Sequence, residues 1–305
     1  MKTKTIIFAG LSLLFAACSN ESEQPIVVEN PVEDSVTLVP IKVHVNEFKT
    51  TMTDFDEARA MTRGAEDPSK YDNLKAITLA FYDEDNKEVY KKTQVKNDGT
   101  IISFNDFTAD LPIGHYTLLA LGYFYSNSDE FVLTSLTEAA FTSDKPRETF
   151  ALTQNVTVTS GNPLSLEITL KRLTPKLTIR STDVRSASVK RMRTTYAKGG
   201  KRFNPTTGYA LDDNGFTQTQ SANTDDANLL KIASYPFLAS ESDNIDVTIE
   251  ALDANDQVLF TKHISAVPLK RNAETTISGP IFTTGSSTIG ITLDTDWLPG
   301  YEVTF

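Results

Sequence analysis

The chain contains few of the residues that usually form cross-links or catalytic sites. Its 305 residues include one cysteine, one tryptophan and three histidines. A single cysteine excludes an intramolecular disulfide, so burial and hydrogen bonding must stabilise the fold. The histidines (His44, His115 and His263) lie far apart, and the sequence has no nucleophile elbow, paired-histidine zinc motif or glycine-rich phosphate loop. We therefore expect no catalytic residue, no metal site and no cofactor, and the protein is not predicted to be an enzyme.

The position of the one cysteine, Cys18, is informative. Lys2 and Lys4 precede an apolar segment of about 12 residues, which is too short to cross a hydrocarbon core about 30 Å thick. A basic start, a short apolar segment and small residues before a cleavage point predict a secretory signal peptide at residues 1–17. The pentapeptide at residues 14–18, LFAAC, resembles a bacterial lipobox, which implies that Cys18 becomes the first mature residue and carries acyl chains. A plain signal peptide followed by an unmodified cysteine is the alternative.

The charge of the chain is strongly acidic. The formal net charge is −11, and residues 1–17 hold two lysines and no acid, so the mature chain carries −13. This charge excludes attraction to nucleic acid or anionic lipid through the overall field of the protein. Residues 21–34 contain five acids, two prolines and no base. A segment of this composition cannot bury enough apolar surface to fold, so we predict a disordered tether at residues 18–35.

Beyond the tether, the chain is a succession of short segments rich in Val, Ile, Thr, Tyr and Phe. Turn residues separate these segments about every 8–12 positions, as in sandwiches and barrels. The pattern predicts an all-β fold of two antiparallel β-sandwich domains, transthyretin-like or immunoglobulin-like. One β core rarely encloses about 270 residues, so we predict an N-terminal domain at residues 36–172 and a C-terminal domain at residues 173–305.

Local signals refine this prediction. Residues 36–45 alternate between apolar and polar, and Pro40 within them indicates an edge strand or a bulge. Residues 116–124 are nearly all apolar, which is typical of a strand that is buried on both faces. Only residues 135–141 and 225–232 have helical character, and we predict a short helix in each.

Four segments carry motifs that point to one family. Residues 267–279 (VPLKRNAETTISG) have a basic residue and an asparagine before a Thr-Thr-Ile strand and a glycine. The others are residues 111–117 (LPIGHYT), residues 171–177 (KRLTPKL) and the closing Asp296-Trp297 pair, which a short segment to Phe305 follows. In this order they resemble the fimbrillin family of lipoprotein pilins (type V) and their fimbrial anchor subunits. The resemblance implies a surface-exposed outer-membrane lipoprotein that is a structural subunit of a fimbrium and supports adhesion.

The resemblance also implies assembly by strand donation. In such pilins a protease cuts after an arginine and removes the N-terminal strand, and a strand from a neighbouring subunit fills the groove. Here residues 36–48 would be the removable strand. Arg59 and Arg63 are the candidate cleavage points, and Arg63 is the better one because the small residue Gly64 follows it. A subunit that is never cut, and that keeps its lipid as an anchor, is the alternative.

The implied partners follow from this role. They are other fimbrial subunits in a homopolymer or heteropolymer, the outer membrane through the lipid, and a ligand on a host or bacterial surface. The runner-up function is a lipid-anchored glycan-binding accessory protein of a nutrient-uptake system. Its candidate site is Trp297 together with the nearby carboxylates of Asp294 and Asp296. Such binders usually present several exposed tryptophans, which disfavours this alternative for a chain with one.

Two clusters of opposite charge suggest a further hypothesis. Residues 180–202 contain eight basic residues and one acid, whereas residues 241–256 contain six acids and no base. Complementary patches can guide subunits into one orientation, since they raise association rates and suppress wrong registers. The alternative is two differently charged solvated faces.

Overall fold

The computed structural model describes residues 37–49, 65–99, 101–124, 131–284 and 288–295. Every helix or strand assigned in these ranges is a β-strand, which confirms the predicted all-β fold. The described part of the chain therefore contains no helix long and apolar enough to cross a membrane. The predicted signal peptide and tether lie outside the described residues, as do Cys18, Arg59, Arg63 and Trp297.

The strands are numbered in chain order and form four sheets. They are β1 (Leu38–Lys49), β2 (Ala65–Glu66), β3 (Ala76–Tyr82), β4 (Glu88–Val95), β5 (Asp106–Pro112), β6 (Gly114–Tyr123), β7 (Phe131–Ser135), β8 (Glu138–Phe141), β9 (Thr149–Val158), β10 (Leu164–Arg172), β11 (Lys176–Val184), β12 (Arg191–Tyr196), β13 (Arg202–Phe203), β14 (Phe216–Ser221), β15 (Leu229–Ser234), β16 (Ser242–Leu252), β17 (Val258–Lys270), β18 (Glu274–Gly279) and β19 (Gly290–Asp294).

The first half of the chain forms one large sheet that curls around a core. Its strand order is β2-β1-β10-β9-β6-β3-β4, and β5 also pairs with β1. β1 and β3 are four strands apart, which is roughly 19 Å along a flat sheet. Even so, Ile41 of β1 and Leu79 of β3 belong to the same buried core. The sheet must therefore fold over on itself, and it encloses its core as a sandwich does.

Two four-stranded sheets enclose a second core in the other half. Their strand orders are β15-β11-β18-β19 and β14-β12-β16-β17. Ile179 and Ile277 from the first sheet and Met192 and Ile249 from the second belong to this core. Two sheets that share one core, with alternate residues buried along their strands, form the predicted β-sandwich. Most strand pairs are antiparallel, but β1 with β10 and β11 with β18 are parallel.

Residues from both halves of the chain meet in a third core. The small sheet β13-β8-β7 contributes to it, and the rings of Phe203 and Phe237 stack there with their centroids 4.1 Å apart. Strand β6 is buried on both faces, because Leu118 lies in the first core and Leu119 in the third. This confirms the expectation for residues 116–124.

A buried ion pair lies near this junction. The Nε atom of Arg172 is 2.8 Å from Oε1 of Glu148, and the two side chains are 0% and 2% exposed. Tyr71 donates a hydrogen bond to Glu148 over 2.7 Å, and Arg172 donates one to Asn272 over 3.0 Å. Burial and the neighbouring Glu148 charge raise the pKa of Tyr71, so its hydroxyl stays a donor. Residues 37–305 cluster as one compact unit, and the division at residues 172 and 173 stays a prediction.

Two of the segments that resemble fimbrillins, 171–177 and 267–279, contact each other at this junction. The Nε atom of Arg271 donates a hydrogen bond to the carbonyl oxygen of Leu173 over 3.1 Å. Asn272 accepts from Arg172, and it lies in the left-handed region with φ 57°, which asparagine tolerates better than most residues. These motif residues therefore hold the two halves of the chain together.

The two predicted helices are wrong. Residues 135–141 belong to the hairpin β7–β8, and residues 225–232 form a turn that leads into β15. In this turn Oδ1 of Asp225 accepts hydrogen bonds from the N–H groups two and four residues ahead, and Asn228 has φ 58°. The side chain of Asp225 therefore closes a turn, and the left-handed Asn228 ends it before a helix can form.

Replacing Glu148 by glutamine should lower the free energy of unfolding by about 3–5 kcal/mol, because Arg172 would remain buried without its counter-charge. The matched control is Glu88→Gln. It removes a carboxylate from a more exposed pair with Lys91, and it should change the free energy by less than about 1 kcal/mol. Chemical denaturation of both variants measures the difference. Equal unfolding midpoints would show that the buried pair does not stabilise the junction.

Candidate assembly site around strand β1

Strand β1 is a central strand of the large sheet. It pairs in parallel with β10 over eight residue pairs, from Ile41 to Lys49. On its other side it pairs antiparallel with β5 over seven, from Leu38 to His44. β1 as a whole is therefore not an edge strand, but at Pro40 it pairs with β5 alone, and the register shift of a bulge lies between Val45 and Glu47 instead. Pro40 is tolerated because the ladder with β10 begins one residue later, so the missing N–H does not interrupt that ladder.

One face of β1 is completely apolar and completely buried. Val39, Ile41, Val43 and Val45 are between 0% and 3% exposed, and they alternate with polar or exposed neighbours. Branched side chains of this kind favour strands because they pack well on a pleated surface. Each contributes about 1.5–3 kcal/mol when it is fully buried. The strand is thus a large part of the first core.

Removal of β1 would leave a groove with two unpaired edges. Among the strands of the described ranges, β5 pairs with β1 alone, and β10 would lose its partner over eight residues. Buried residues that share the first core with β1, among them Phe107 of β5 and Leu118 of β6, would lose part of their packing. Unpaired strand edges and an open apolar groove together form a template for another strand.

The outward face of β1 carries charge. The Nδ1 atom of His44 lies 2.6 Å from Oδ1 of Asp106, the residue directly opposite on β5. On the other side, Glu167 of β10 is paired with His44. Hydrogen bonds from Ser103 and then from His44 lower the pKa of Asp106, so its carboxylate is stabilised in the charged form. One open cleft is lined by Lys42, His44, Asp106 and Glu167.

The predicted cleavage segment connects directly to this site. The chain leaves β1 at Lys49 and is described again from Ala65, and these two residues pair across β1 and β2. Arg59 and Arg63 lie between them, outside the described residues. Further along, Tyr71 is fixed by its hydrogen bond to Glu148. The covalent connection from β1 to the strands that follow it is therefore residues 50–64, and β2 pairs with the end of β1 directly after this segment.

The other predicted residues do not gather into a site. His115 and His263 lie on β6 and β17, and each contacts a threonine hydroxyl across its sheet over 3.0 Å. The described residues contain no group of three or more potential ligands that could hold a metal ion. Asp294 is exposed at the end of β19, whereas Asp296 and Trp297 lie outside the described residues. The glycan-binding alternative therefore stays a prediction.

The two charge clusters are partly paired with each other within the chain. β12 and β16 are neighbours, and Arg193 of β12 lies 2.6 Å from Glu250 of β16. Arg191 pairs with Asp256 in the same way, also over 2.6 Å. This pairing uses part of each cluster within the chain, and the hypothesis that the clusters guide neighbouring subunits stays a prediction. The sequence conceals the pairing because the paired strands are separated by more than 40 residues.

Strand β19 is the most exposed strand in the described part of the chain. It forms the outer edge of its sheet beside β18, and all five of its residues are exposed, including Ile291 and Leu293. Its small buried surface means that little side-chain packing is lost if the strand detaches.

A family model matches residues 40–301 of the chain, and it describes a Family of unknown function (DUF6562). No curated protein is significantly similar to the chain in sequence.

Several solved structures are similar in fold. They include a proposed adhesin from Bacteroides ovatus (TM-score 0.50, 12% identity, covering 84% of this chain and 94% of that chain), a proposed adhesin from Bacteroides thetaiotaomicron (0.48, 12%, 86% and 99%) and the fimbrial anchor protein Mfa2 from Porphyromonas gingivalis (0.46, 10%, 78% and 90%). At such low identity, the likeness to the first of these shows the fold alone.

Replacing Ile41 by alanine should lower the free energy of unfolding by about 2–5 kcal/mol, because the side chain is fully buried and its loss leaves a cavity. The neighbouring variant Lys42→Ala alters an exposed side chain on the same strand, and it should change the free energy by no more than about 0.5 kcal/mol. Denaturant titration compares the two. A small effect for both would mean that β1 is not part of the stable core.

Proposed function

We propose that this chain, which belongs to the Family of unknown function (DUF6562), is a structural subunit of a cell-surface fimbrium. In this role it is joined to neighbouring subunits by β-strand donation, and it supports adhesion. One observation carries the proposal. β1 is a central, fully packed strand that is connected to the fold through residues 50–64, where both candidate cleavage sites lie.

The physical basis is the instability of the open groove. A cut within residues 50–64 would leave β1 held by hydrogen bonds and apolar contacts alone, with no covalent link to the rest of the fold. A strand from another subunit that offers the same ladder and the same alternating side chains can then replace it. Exchange of one strand for another conserves the buried area and the backbone hydrogen bonds. The free energy of the subunit with a donated strand is therefore close to that of the subunit with β1, and the unstable open groove is not populated.

The position of the two arginines distinguishes a pilin from an anchor subunit. Cys18 and β1 both precede Arg59 and Arg63 in the sequence. A cut at either arginine would therefore release the lipid and the strand together, and it would give a polymerising pilin. Without a cut the subunit would keep its acylated Cys18 and act as the outer-membrane anchor.

Two further findings support a surface role. The segments 171–177 and 267–279 resemble fimbrillins, and they contact each other at the junction of the fold. The Bacteroides ovatus structure of similar fold carries the name of a proposed adhesin. The proposed role requires no catalytic residue, cofactor or metal.

A disulfide that locks β1 in place tests this function. Lys42 and Thr108 are exposed and lie directly opposite each other on β1 and β5. Opposite residues of antiparallel strands have Cα atoms about 4.5–5.5 Å apart, which is within the range of a disulfide. In cells that assemble the fimbrium, the variant Lys42→Cys/Thr108→Cys should reach the surface but stay out of polymers, and reduction should restore assembly.

The control locks a hairpin that need not open. Thr248 and His263 are opposite each other on β16 and β17, and Thr248→Cys/His263→Cys should assemble like the unmodified protein. Polymers are measured by their mass on non-reducing gels of surface fractions. If the β1-locked variant enters polymers as readily as this control, the subunit does not assemble by losing β1.

A further inference from the structure

The strands on both sides of β1 present acids at its outer face. Asp106 of β5 and Glu167 of β10 stand directly opposite His44, one on each side. Asp110 of β5 is paired with Pro40, and Asp67 is close enough to interact electrostatically with His44. The described part of β5 contains two acids and no base. Next to these acids, Thr108 of β5 and Ser165 of β10 are uncharged, and the basic side chain opposite them is Lys42 of β1 itself.

The chain also has a strand that could leave its sheet, β19, but this strand has the opposite charge. Ile289, Ile291 and Leu293 alternate with polar residues, as the buried residues of β1 do. From residue 272 to the end the sequence contains four acids and no lysine or arginine. The net charge of the C-terminal segment is therefore negative, and three of the four acids lie at or after Asp294.

Alignment of β19 with β1 brings Asp294 to the acidic rim of the groove. This rim is formed by Asp106 and Glu167, one on each side of His44. When Ile289, Ile291 and Leu293 take the places of Val39, Ile41 and Val43, Asp294 falls at the position of His44. A shift by two residues in one direction brings Asp296 to the same position instead. A shift by two residues in the other direction places Ser287 at the apolar position of Val39. None of the three registers matches both the core and the rim.

We propose that the groove under β1 selects its incoming strand by charge. It accepts a strand of alternating aliphatic residues with a basic or neutral residue at the position of His44, and it discriminates against the acidic C-terminal strand of its own chain. The groove therefore favours the strand of a different subunit over the C-terminal strand of a second copy, and the contact is part of a heteropolymer. This inference rests on the proposed strand donation.

The expected discrimination is moderate and depends on salt. Like charges directly opposite on neighbouring strands are destabilising, and each exposed pair changes an equilibrium by up to about fivefold. An incoming aspartate faces Asp106 on one side and Glu167 on the other, so we expect about tenfold between aspartate and lysine at this position. At about 1 M salt the screening length falls to about 3 Å, and most of the difference should disappear.

The test uses the lipid-free mature chain with a specific protease site placed within residues 50–64. After the cut, β1 stays bound, and fluorescent nine-residue peptides compete for its place. The first pair of peptides is residues 37–45 (TLVPIKVHV) and the same peptide with His44→Asp. The second pair is residues 287–295 (STIGITLDT) and the same peptide with Asp294→Lys. Fluorescence polarisation gives the concentration at half displacement.

We expect each acidic peptide to bind about tenfold more weakly at low salt than its partner with histidine or lysine. The control peptide has residues 287–295 with Thr292→Lys. It places a cation opposite the uncharged Thr108 and Ser165, and it should raise the affinity much less than Asp294→Lys does. In a cut chain with Asp106→Asn and Glu167→Gln the difference should vanish.

Three results would overturn the inference. If residues 287–295 bind as tightly as their Asp294→Lys variant, or if the difference persists in the Asp106→Asn/Glu167→Gln chain, charge at the rim does not select the strand. Strand donation itself would then stand, because peptides still enter the groove. If no peptide exchanges, including residues 37–45, the groove takes up no strand in trans, and strand donation fails together with the inference.

Discussion

The insertion of β1 between β5 and β10 is the contact on which the first half of the molecule depends. The strand completes two ladders, and its four buried aliphatic side chains close the core beneath them. Because the ladders and the core depend on the same strand, the fold cannot lose it partially. The groove is either filled by β1 or open to another strand. The proposed assembly uses this property, since whatever replaces β1 must reproduce both its hydrogen bonds and its alternation.

The second half of the chain shows what distinguishes β1 from an ordinary central strand. β11 has the same arrangement, since it pairs in parallel with β18 and antiparallel with β15. Its alternating Leu177 and Ile179 are buried in the second core. However, β11 follows β10 directly and lies inside the chain, so two cuts would be needed to free it. A single cut frees β1. Position in the sequence, and not packing, makes one of these two similar strands removable.

Much of this architecture could be predicted from the sequence, because local patterns determine it. The alternation of Val39 to Val45 predicts a half-buried strand, and the continuous apolar run of β6 predicts burial on both faces. The predictions that failed depend on which strands become neighbours. Pro40 indicated an edge because nothing local reveals that the ladder with β10 begins at Ile41. Residues 225–232 were predicted to be helical because the left-handed conformation of Asn228 is not visible in composition. The acidic rim around His44 also requires the sheet order, so the sequence alone could not indicate it.

The account is tested most directly by the N-terminus of the protein isolated from the native cell surface. N-terminal sequencing combined with intact mass would identify it. We predict two forms only: a chain that begins at acylated Cys18 and still contains β1, which is the anchor, or a chain that begins at Gly64 or Ala60 without lipid, which is the polymerised pilin. A chain that begins at an unmodified Cys18 would contradict the account, because the lipid anchor would be absent while β1 remained in place.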